Sequence, residues 1–183
     1  IGLIIPLLSI YALHSHHIDT LTLGEPGKYI PAAKGLFHIG QLMHLSHGHY
    51  VPELERLPGY PFFIFINYTL FGLNHYTAIT LIQSLLMGSI VLAIALTVRI
   101  ILPNLMWPAA ILAAICPNLA FRAAMIMPDL LFAFFVSWGL FFLIKSIYHQ
   151  HTLRLLSIAT LFFTLALYTR PAFLLYPIFT LPA

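Results

Sequence analysis

Residues 76–99 read YTAITLIQSLLMGSIVLAIALTVR, and this stretch decides the fold class. Residues 76–98 contain no Asp, Glu, Lys or Arg, and Arg99 is the first charged residue after them. At 1.5 Å per residue, a helix over residues 76–98 is about 35 Å long, which is enough to cross a hydrocarbon core of roughly 30 Å. The stretch therefore predicts a transmembrane helix.

The rest of the chain has the same apolar character. Of its 183 residues, 61% are hydrophobic and only 7% are charged, whereas a soluble domain carries about 25% charged residues. So few charges cannot cover a soluble surface, and the composition predicts an all-α, polytopic transmembrane protein. The net charge of +3 comes from scattered basic residues, so we expect no nucleic-acid partner. We expect membrane lipids to surround the apolar helices.

The apolar segments predict a single membrane domain over residues 1–183. We predict spanning helices over residues 76–98, 105–121, 130–147 and 153–169, and truncated spanning helices over residues 1–13 and 171–183. Pro117 is expected to bend the second of the four complete spans near its end. Because the chain starts and stops inside apolar runs, we expect it to be the N-terminal piece of a longer membrane protein.

Two segments are expected to lie outside the hydrocarbon core. Residues 14–60 are polar enough to form a long first external loop that carries juxtamembrane helices. Residues 61–73 are apolar, but a helix of that length covers only roughly 20 Å, which favours an interfacial half-helix. If residues 61–73 spanned the membrane instead, every later helix would reverse its direction.

Basic residues set the predicted orientation. Short loops rich in Lys and Arg tend to stay cytoplasmic, which places Arg99 and the loop from Lys145 to Arg154 inside. The loop of residues 14–60 and Asp129 then lie outside. In a bacterium this predicts a multi-pass inner-membrane protein whose external side faces the periplasm.

Carboxylates are rare in this chain and fall on one predicted side. Four of them lie in the predicted external loop: Asp19, Glu25, Glu53 and Glu55. The fifth, Asp129, lies on the same predicted side of the membrane. Ionisable groups at membrane depth are costly, and so they are functional candidates. The alternatives are solvated loop charges and, for Asp129, a helix cap that complements the helix dipole.

The histidines and the cysteine give no clear metal site. Most of the ten histidines lie in the loop of residues 14–60, but the spacing of His44, His47 and His49 matches no tight ligand motif. Such histidines are also common as polar surface. Metal ligation is left open, and the single Cys116 excludes a disulfide within the chain.

Four short patterns occur in a fixed order along the chain. They are GEPGKYIPAA at 24–33, ERLPGYP at 55–61 with LFG at 70–72, MPDLLF at 127–132, and LYTRP at 167–171. Their order and spacing resemble the GT-C integral membrane glycosyltransferases, which include the protein O-mannosyltransferases (glycosyltransferase family 39) and lipid A aminoarabinose transferases. The chain departs from the family pattern at Glu25, where aspartate is usual, and at Pro31 inside the following helix.

The resemblance implies a GT-C-like enzyme that transfers a sugar from a polyprenyl-phosphate-linked donor by an inverting single displacement. The acceptor, on the external side, is a lipid, a glycan or a protein. No cofactor is certain, although a divalent cation is compatible with such a site. The reaction needs a carboxylate that takes a proton from the acceptor and a cation that holds the phosphate.

The same resemblance implies roles for particular residues. Glu25 is expected to be the catalytic base, with Asp129 as the second catalytic carboxylate. Arg56 and Arg170 are expected to bind the donor phosphate, because a guanidinium can engage two phosphate oxygens. Three further residues are expected to support the site: Glu55, Tyr29 and Tyr60.

Two other classes of function stay open. A transporter or channel should place polar residues inside its spanning helices, and the predicted spans hold few of them: Gln83, Ser84 and Ser137. A noncatalytic membrane assembly protein permits the gathered charges without requiring them. In that case Arg56 is an interfacial anchor, and Arg170 only ends a helix at the interface.

Overall fold

The computed structural model describes residues 26–46, 49–53, 56–148 and 152–170. This part of the chain is mostly helical, with seven α-helices and one β-hairpin. The elements are α1 Pro26–Ile39, β1 Met43–Ser46, β2 His49–Pro52, α2 Gly59–Phe71, α3 Tyr76–Ile101, α4 Met106–Ala114, α5 Pro117–Ala124, α6 Pro128–Tyr148 and α7 Thr152–Thr169. The predicted terminal helices, residues 1–13 and 171–183, lie outside the described residues.

Two helices, α3 and α6, are long and apolar enough to cross a membrane. A third span is possible if α4 and α5, with the turn before α4, act as one broken helix. The apolar stretch of α7, Leu153–Thr169, has fewer than 18 residues and covers only about 25 Å. The helix predicted over residues 153–169 is therefore present, but it is shorter than a full straight span.

The predicted bend at Pro117 is a complete break between two helices. The axes of the two segments, Pro103–Ala114 and Pro117–Ala124, differ by 49°. Cys116 has φ −62° and ψ 110°, an extended conformation, because a residue before proline is disfavoured in the helical region. Pro117 then begins α5, where its missing N–H leaves no helical hydrogen bond unmade.

Helix α6 packs against both α3 and α7. At the α6–α7 contact, a Cβ on Gly139 would lie 2.8 Å from Cε1 of Phe163, so glycine allows the two helices to approach closely. At the α3–α6 contact, Nε1 of Trp138 donates a hydrogen bond of 2.9 Å to Oγ of Ser89. These contacts make α6 the centre of the bundle.

Large apolar side chains are exposed along the outer faces of these helices. Leu153 is 81% exposed and Trp107 is 71% exposed, and many others share this property. A soluble monomer rarely presents contiguous apolar surface of this kind. The outer faces are therefore suited to lipid, in agreement with membrane association.

The first predicted loop folds onto the bundle as α1, the hairpin and α2. A Cβ on Gly35 of α1 would lie 1.8 Å from the carbonyl oxygen of Met43, so the hairpin lies directly against α1. The all-α prediction missed this hairpin, in which Ser46 pairs with His49 across a two-residue connection. Juxtamembrane helices were predicted for this loop, and α1 is one.

Helix α2, Gly59–Phe71, overlaps the short helix predicted over residues 61–73 and begins and ends two residues earlier. It has 13 residues and is not among the helices that are long enough to span. Its last residue, Phe71, is followed by Gly72 as the C-cap. Gly72 and Asn74 have positive φ angles, 91° and 66°. A Cβ on Gly59, at its start, would lie 2.5 Å from the carbonyl oxygen of Tyr168 in α7.

One buried cluster joins the loop elements to the bundle. Its members come from α1, α2, α3, α6 and the segment before α6: Tyr29, Ile30, Ala33, Tyr60, Ile64, Tyr68, Ile79, Ile126 and Leu131. Burial of these side chains fixes the start of α1 and of α2 against one end of the bundle. The charged residues of the candidate site lie at this end.

Candidate functional site

Three helix ends meet at one end of the bundle, and each carries a charge that suits it. Arg122 lies in the last turn of α5, and Asp129 lies in the first turn of α6. Arg170 directly follows the last residue of α7, and its backbone N–H donates to the carbonyl of Ala166. A carboxylate at a helix N-terminus and cations at helix C-termini are each favourable to the helix dipole.

The three charges form one ion cluster. Nη1 of Arg122 pairs with Oδ2 of Asp129, and Nη1 of Arg170 donates to Oδ1 of the same carboxylate. The Asp129 side chain is 13% exposed, whereas the side chains of Arg122 and Arg170 are 37% and 48% exposed. A guanidinium has five N–H donors, so both arginines can bind a further anion beside the carboxylate.

These residues line a pocket of about 260 Å³, which we call the arginine pocket. Its lining residues are Tyr29, Arg122, Met127, Pro128, Asp129 and Arg170. Two guanidinium groups share one carboxylate here, so positive charge is in excess among the described lining residues. The pocket is suited to an anion such as a phosphate.

Arg56 and Tyr60 join the arginine pocket through Tyr29. Nη1 of Arg56 donates to the hydroxyl of Tyr29 at 3.3 Å, and Cζ of Arg56 lies 5.0 Å from the centre of the Tyr29 ring. The rings of Tyr29 and Tyr60 meet edge to face, with centroids 5.2 Å apart. Tyr29 is therefore held by a cation–π contact on one side and by an aromatic contact on the other.

A buried amide links the two halves of the site. Gln83 of α3 is fully buried, and its Nε2 lies 3.3 Å from the hydroxyl of Tyr60 and 3.2 Å from the carbonyl oxygen of Met127. Burial raises the pKa of Tyr60 well above its usual value, so this phenol stays protonated and serves as a hydrogen-bonding group. Gln83 thus fixes the segment before Asp129 relative to Tyr60.

The structure also contains an apolar groove of about 330 Å³. It runs between the start of α2 and the end of α7, and its lining residues are Leu36, Leu42, Pro58, Gly59, Phe62, Leu165 and Tyr168. Pro58 comes two residues after Arg56, and Tyr168 comes two residues before Arg170. The groove is therefore close in sequence to two of the cations that sequence analysis predicted to bind phosphate.

The structure brings together five of the predicted site residues: Tyr29, Arg56, Tyr60, Asp129 and Arg170. Asp129 and Tyr29 line the same pocket, so Asp129 lies at the end of the bundle that α1 covers. The predicted base Glu25 and the supporting Glu55 lie outside the described residues, as does Asp19.

Other predicted polar groups lie elsewhere or form no metal site. Oε2 of Glu53 lies 3.2 Å from Nδ1 of His44 at the hairpin, and neither residue lines the arginine pocket. Within residues 26–46, 49–53, 56–148 and 152–170, no group of three His, Cys, Asp or Glu side chains could hold a metal ion.

Arg122 was not predicted as a site residue. It directly follows the predicted span of residues 105–121. The available signal was its position on the predicted external side, seven residues before the isolated Asp129. A cation and an anion on the same side of two consecutive spans are expected to pair, because a lone charge near hydrocarbon is costly.

No protein-family model, curated protein or solved structure matches this chain. The chemistry of the site is therefore the guide to what it binds. Guanidinium groups are suited to hydrogen-bond anions, and the lining of the groove is apolar.

Proposed function

We propose that this protein is a membrane glycosyltransferase that uses a polyprenyl-phosphate-linked sugar as its donor. The proposal rests on the arginine pocket together with the apolar groove, which have lining residues two positions apart in the sequence, Arg170 and Tyr168. In this arrangement the phosphate lies among the arginines, and the start of the polyprenyl chain lies in the groove lined by Phe62 and Leu165. The order of the four sequence motifs supports the same class of enzyme.

Arg122 and Arg170 are the phosphate-binding residues in this proposal, with Arg56 nearby. They stabilise the phosphate as it leaves, because charge grows on the bridging oxygen when the bond to the sugar breaks. Asp129 holds both guanidinium groups in place through its two oxygens. Its role here is to orient the cations, alongside the catalytic role expected from the resemblance.

The chemical step is a single displacement at the anomeric carbon. A hydroxyl or amine of the acceptor attacks this carbon, and the bond between the carbon and the phosphate oxygen breaks. The electron pair of that bond leaves with polyprenyl phosphate, and the acceptor's proton goes to a carboxylate, for which Glu25 is the candidate. The configuration at the anomeric carbon is inverted, and the acceptor is a lipid, glycan or protein on the external side.

A transfer assay with the full-length protein in native-like membranes tests the proposal. Labelled sugar is offered on a panel of polyprenyl-phosphate donors to wild type and to Arg56→Ala, Arg122→Ala, Arg170→Ala and Glu25→Gln. We expect Arg122→Ala to reduce the rate about 100-fold, the scale of losing one group that stabilises the leaving charge. Arg99→Ala, in the last turn of α3, is the matched control and should transfer at the wild-type rate.

The outcomes separate the possible functions. Transfer that survives Glu25→Gln would move the role of base to Asp129 or Glu55. Transfer that is reduced equally by Arg99→Ala and Arg122→Ala would show a general effect of lost charge. Well-folded protein that transfers no sugar from any donor would favour a transporter or a noncatalytic assembly protein.

A further inference from the structure

A third concave surface lies on another face of α1. It has a volume of about 400 Å³ and is lined by Ile30, Pro31, Lys34, Gly35, His38 and Tyr50. Because Gly35 lacks a side chain, the carbonyl of Met43 lies directly against α1, and the hairpin forms the facing wall. We call this surface the hairpin cleft.

The polar groups of the hairpin cleft are hydrogen-bond donors. Lys34 and His38 are four residues apart on α1, so they lie on the same face of the helix. Tyr50, on β2, lines the same cleft. None of the described residues that line the cleft is Asp or Glu. An ammonium, an imidazole and a phenol without a lining carboxylate favour an anionic ligand.

The apolar part of the cleft adds a second requirement. Ile30 and Pro31 line it, and the ring of Tyr50 is about half exposed, at 49%. An aromatic ring and aliphatic carbons can pack against the C–H face of a sugar ring, while an acid group on that sugar pairs with Lys34. The lining therefore suits a saccharide that carries a phosphate or a carboxylate.

The hairpin cleft and the arginine pocket share the first turn of α1. Tyr29 lines the arginine pocket, and the next residue, Ile30, lines the hairpin cleft. Consecutive residues of a helix point about 100° apart, so the two pockets lie on neighbouring faces of α1, and an acceptor held in the cleft is expected to extend around this helix toward the arginine pocket. Glu25, the candidate base, directly precedes this helix in the sequence.

We infer that the hairpin cleft is the acceptor subsite and that the acceptor is an acidic saccharide. Its phosphate or carboxylate is held by Lys34 and His38, and its reacting hydroxyl extends toward the arginine pocket. This inference rests on the proposed function, and it names the acceptor class that the function leaves open. The acidic saccharide can be free or lipid-anchored, since the cleft recognises the acid group in both.

Direct binding measurements on the full-length protein in phosphatidylcholine nanodiscs test the inference without any transfer reaction. The probes are glucuronic acid, glucose 6-phosphate, neutral glucose and a lipid-anchored glucuronic acid, with polyprenyl phosphate as the probe of the arginine pocket. We expect both acidic sugars to bind at least about tenfold more tightly than glucose, the scale of one charge-assisted hydrogen bond. Tighter binding of the free or of the anchored form identifies the source of the acceptor.

Matched variants assign the binding to the two pockets. Lys34→Gln should weaken binding of the acidic sugars about tenfold, Lys34→Arg should retain it, and neither should change the affinity for polyprenyl phosphate. Arg122→Gln should weaken binding of polyprenyl phosphate and leave the affinity for the acidic sugars unchanged. Unchanged polyprenyl-phosphate affinity in Lys34→Gln also shows that the variant is folded.

Three results would overturn the inference. They are equal affinity for glucose and glucuronic acid, acidic-sugar binding that is unaffected by Lys34→Gln, and binding through Lys34 to phosphatidic acid vesicles but to neither acidic sugar. A different result would contradict the proposed function alone. In that result polyprenyl phosphate does not bind to the protein, while the acidic sugars still bind through Lys34.

Discussion

Gln83 and Tyr60 are joined by a hydrogen bond inside the protein, with 3.3 Å between Nε2 and the phenolic oxygen. The same nitrogen lies 3.2 Å from the carbonyl oxygen of Met127, two residues before Asp129. A polar side chain that is fully buried in a membrane helix needs such partners, because an unpaired amide is costly there. One side chain of α3 therefore positions residues from both halves of the site.

Replacing Gln83 by leucine is expected to destabilise the protein by about 1–3 kcal/mol, since the buried hydroxyl of Tyr60 and the part-buried carbonyl of Met127 lose their donor. Thermal or denaturant unfolding in micelles measures this loss. Ser84→Ala is the matched control, because its buried hydroxyl bonds only to Thr80 within the same helix. Equal stability of the Gln83→Leu and Ser84→Ala variants would contradict a bridging role for Gln83.

The ion cluster predicts energetic coupling between Arg122 and Asp129. Arg122→Gln and Asp129→Asn should each destabilise the protein, and the double variant should be more stable than the sum of the two losses predicts. The two groups are partly solvated, so we expect a coupling energy of about 1 kcal/mol. A double-mutant cycle in unfolding free energy measures it, and strictly additive losses would argue against the pair.

Tyr29 makes two separable contacts with Arg56, a hydrogen bond and a cation–π contact. Tyr29→Phe removes only the first, and we expect sugar transfer to fall by no more than about fivefold, since one neutral partner of an arginine contributes about 1 kcal/mol. Tyr29→Leu removes both contacts, together with the aromatic contact to Tyr60, and should reduce transfer further. Equal rates in both variants would show that the ring has no role in holding Arg56.

The orientation of the bundle can be tested with two exposed asparagines. Asn74 precedes α3, and Asn104 follows it. With Cys116 replaced by serine, a membrane-impermeant maleimide applied from outside should label Asn74→Cys and leave Asn104→Cys unlabelled in intact cells. Permeabilised cells, in which both positions should react, are the control. Labelling of Asn104→Cys alone would place the arginine pocket on the cytoplasmic side.

Much of the helical layout was predictable from the sequence. Long apolar runs predicted the helices that became α3 and α6, because only a helix satisfies its own backbone in hydrocarbon. The short run of residues 61–73 and the glycine after it predicted α2. The predicted side of the membrane and the order of the motifs together indicated that five site residues lie near one another: Tyr29, Arg56, Tyr60, Asp129 and Arg170.

The rest depended on tertiary contacts that a sequence pattern does not contain. The hairpin was missed because its strands have only four residues each, too few for a clear alternating pattern. Arg122 was missed because its partner belongs to the next helix. The hairpin cleft was missed because Tyr50 and Lys34 line one cleft only after the hairpin folds onto Gly35.

The contact between Gly59 and Tyr168 gives the apolar groove one stiff wall and one adjustable wall. On the stiff side a backbone carbonyl, which cannot rotate away as a side chain can, lies against the bare Cα of Gly59. On the other side are Leu36 and Leu42, whose side chains can change rotamer. Widening the groove therefore requires side chains such as Leu36 and Leu42 to move, while the backbone contact between Gly59 and Tyr168 keeps its width fixed on that side.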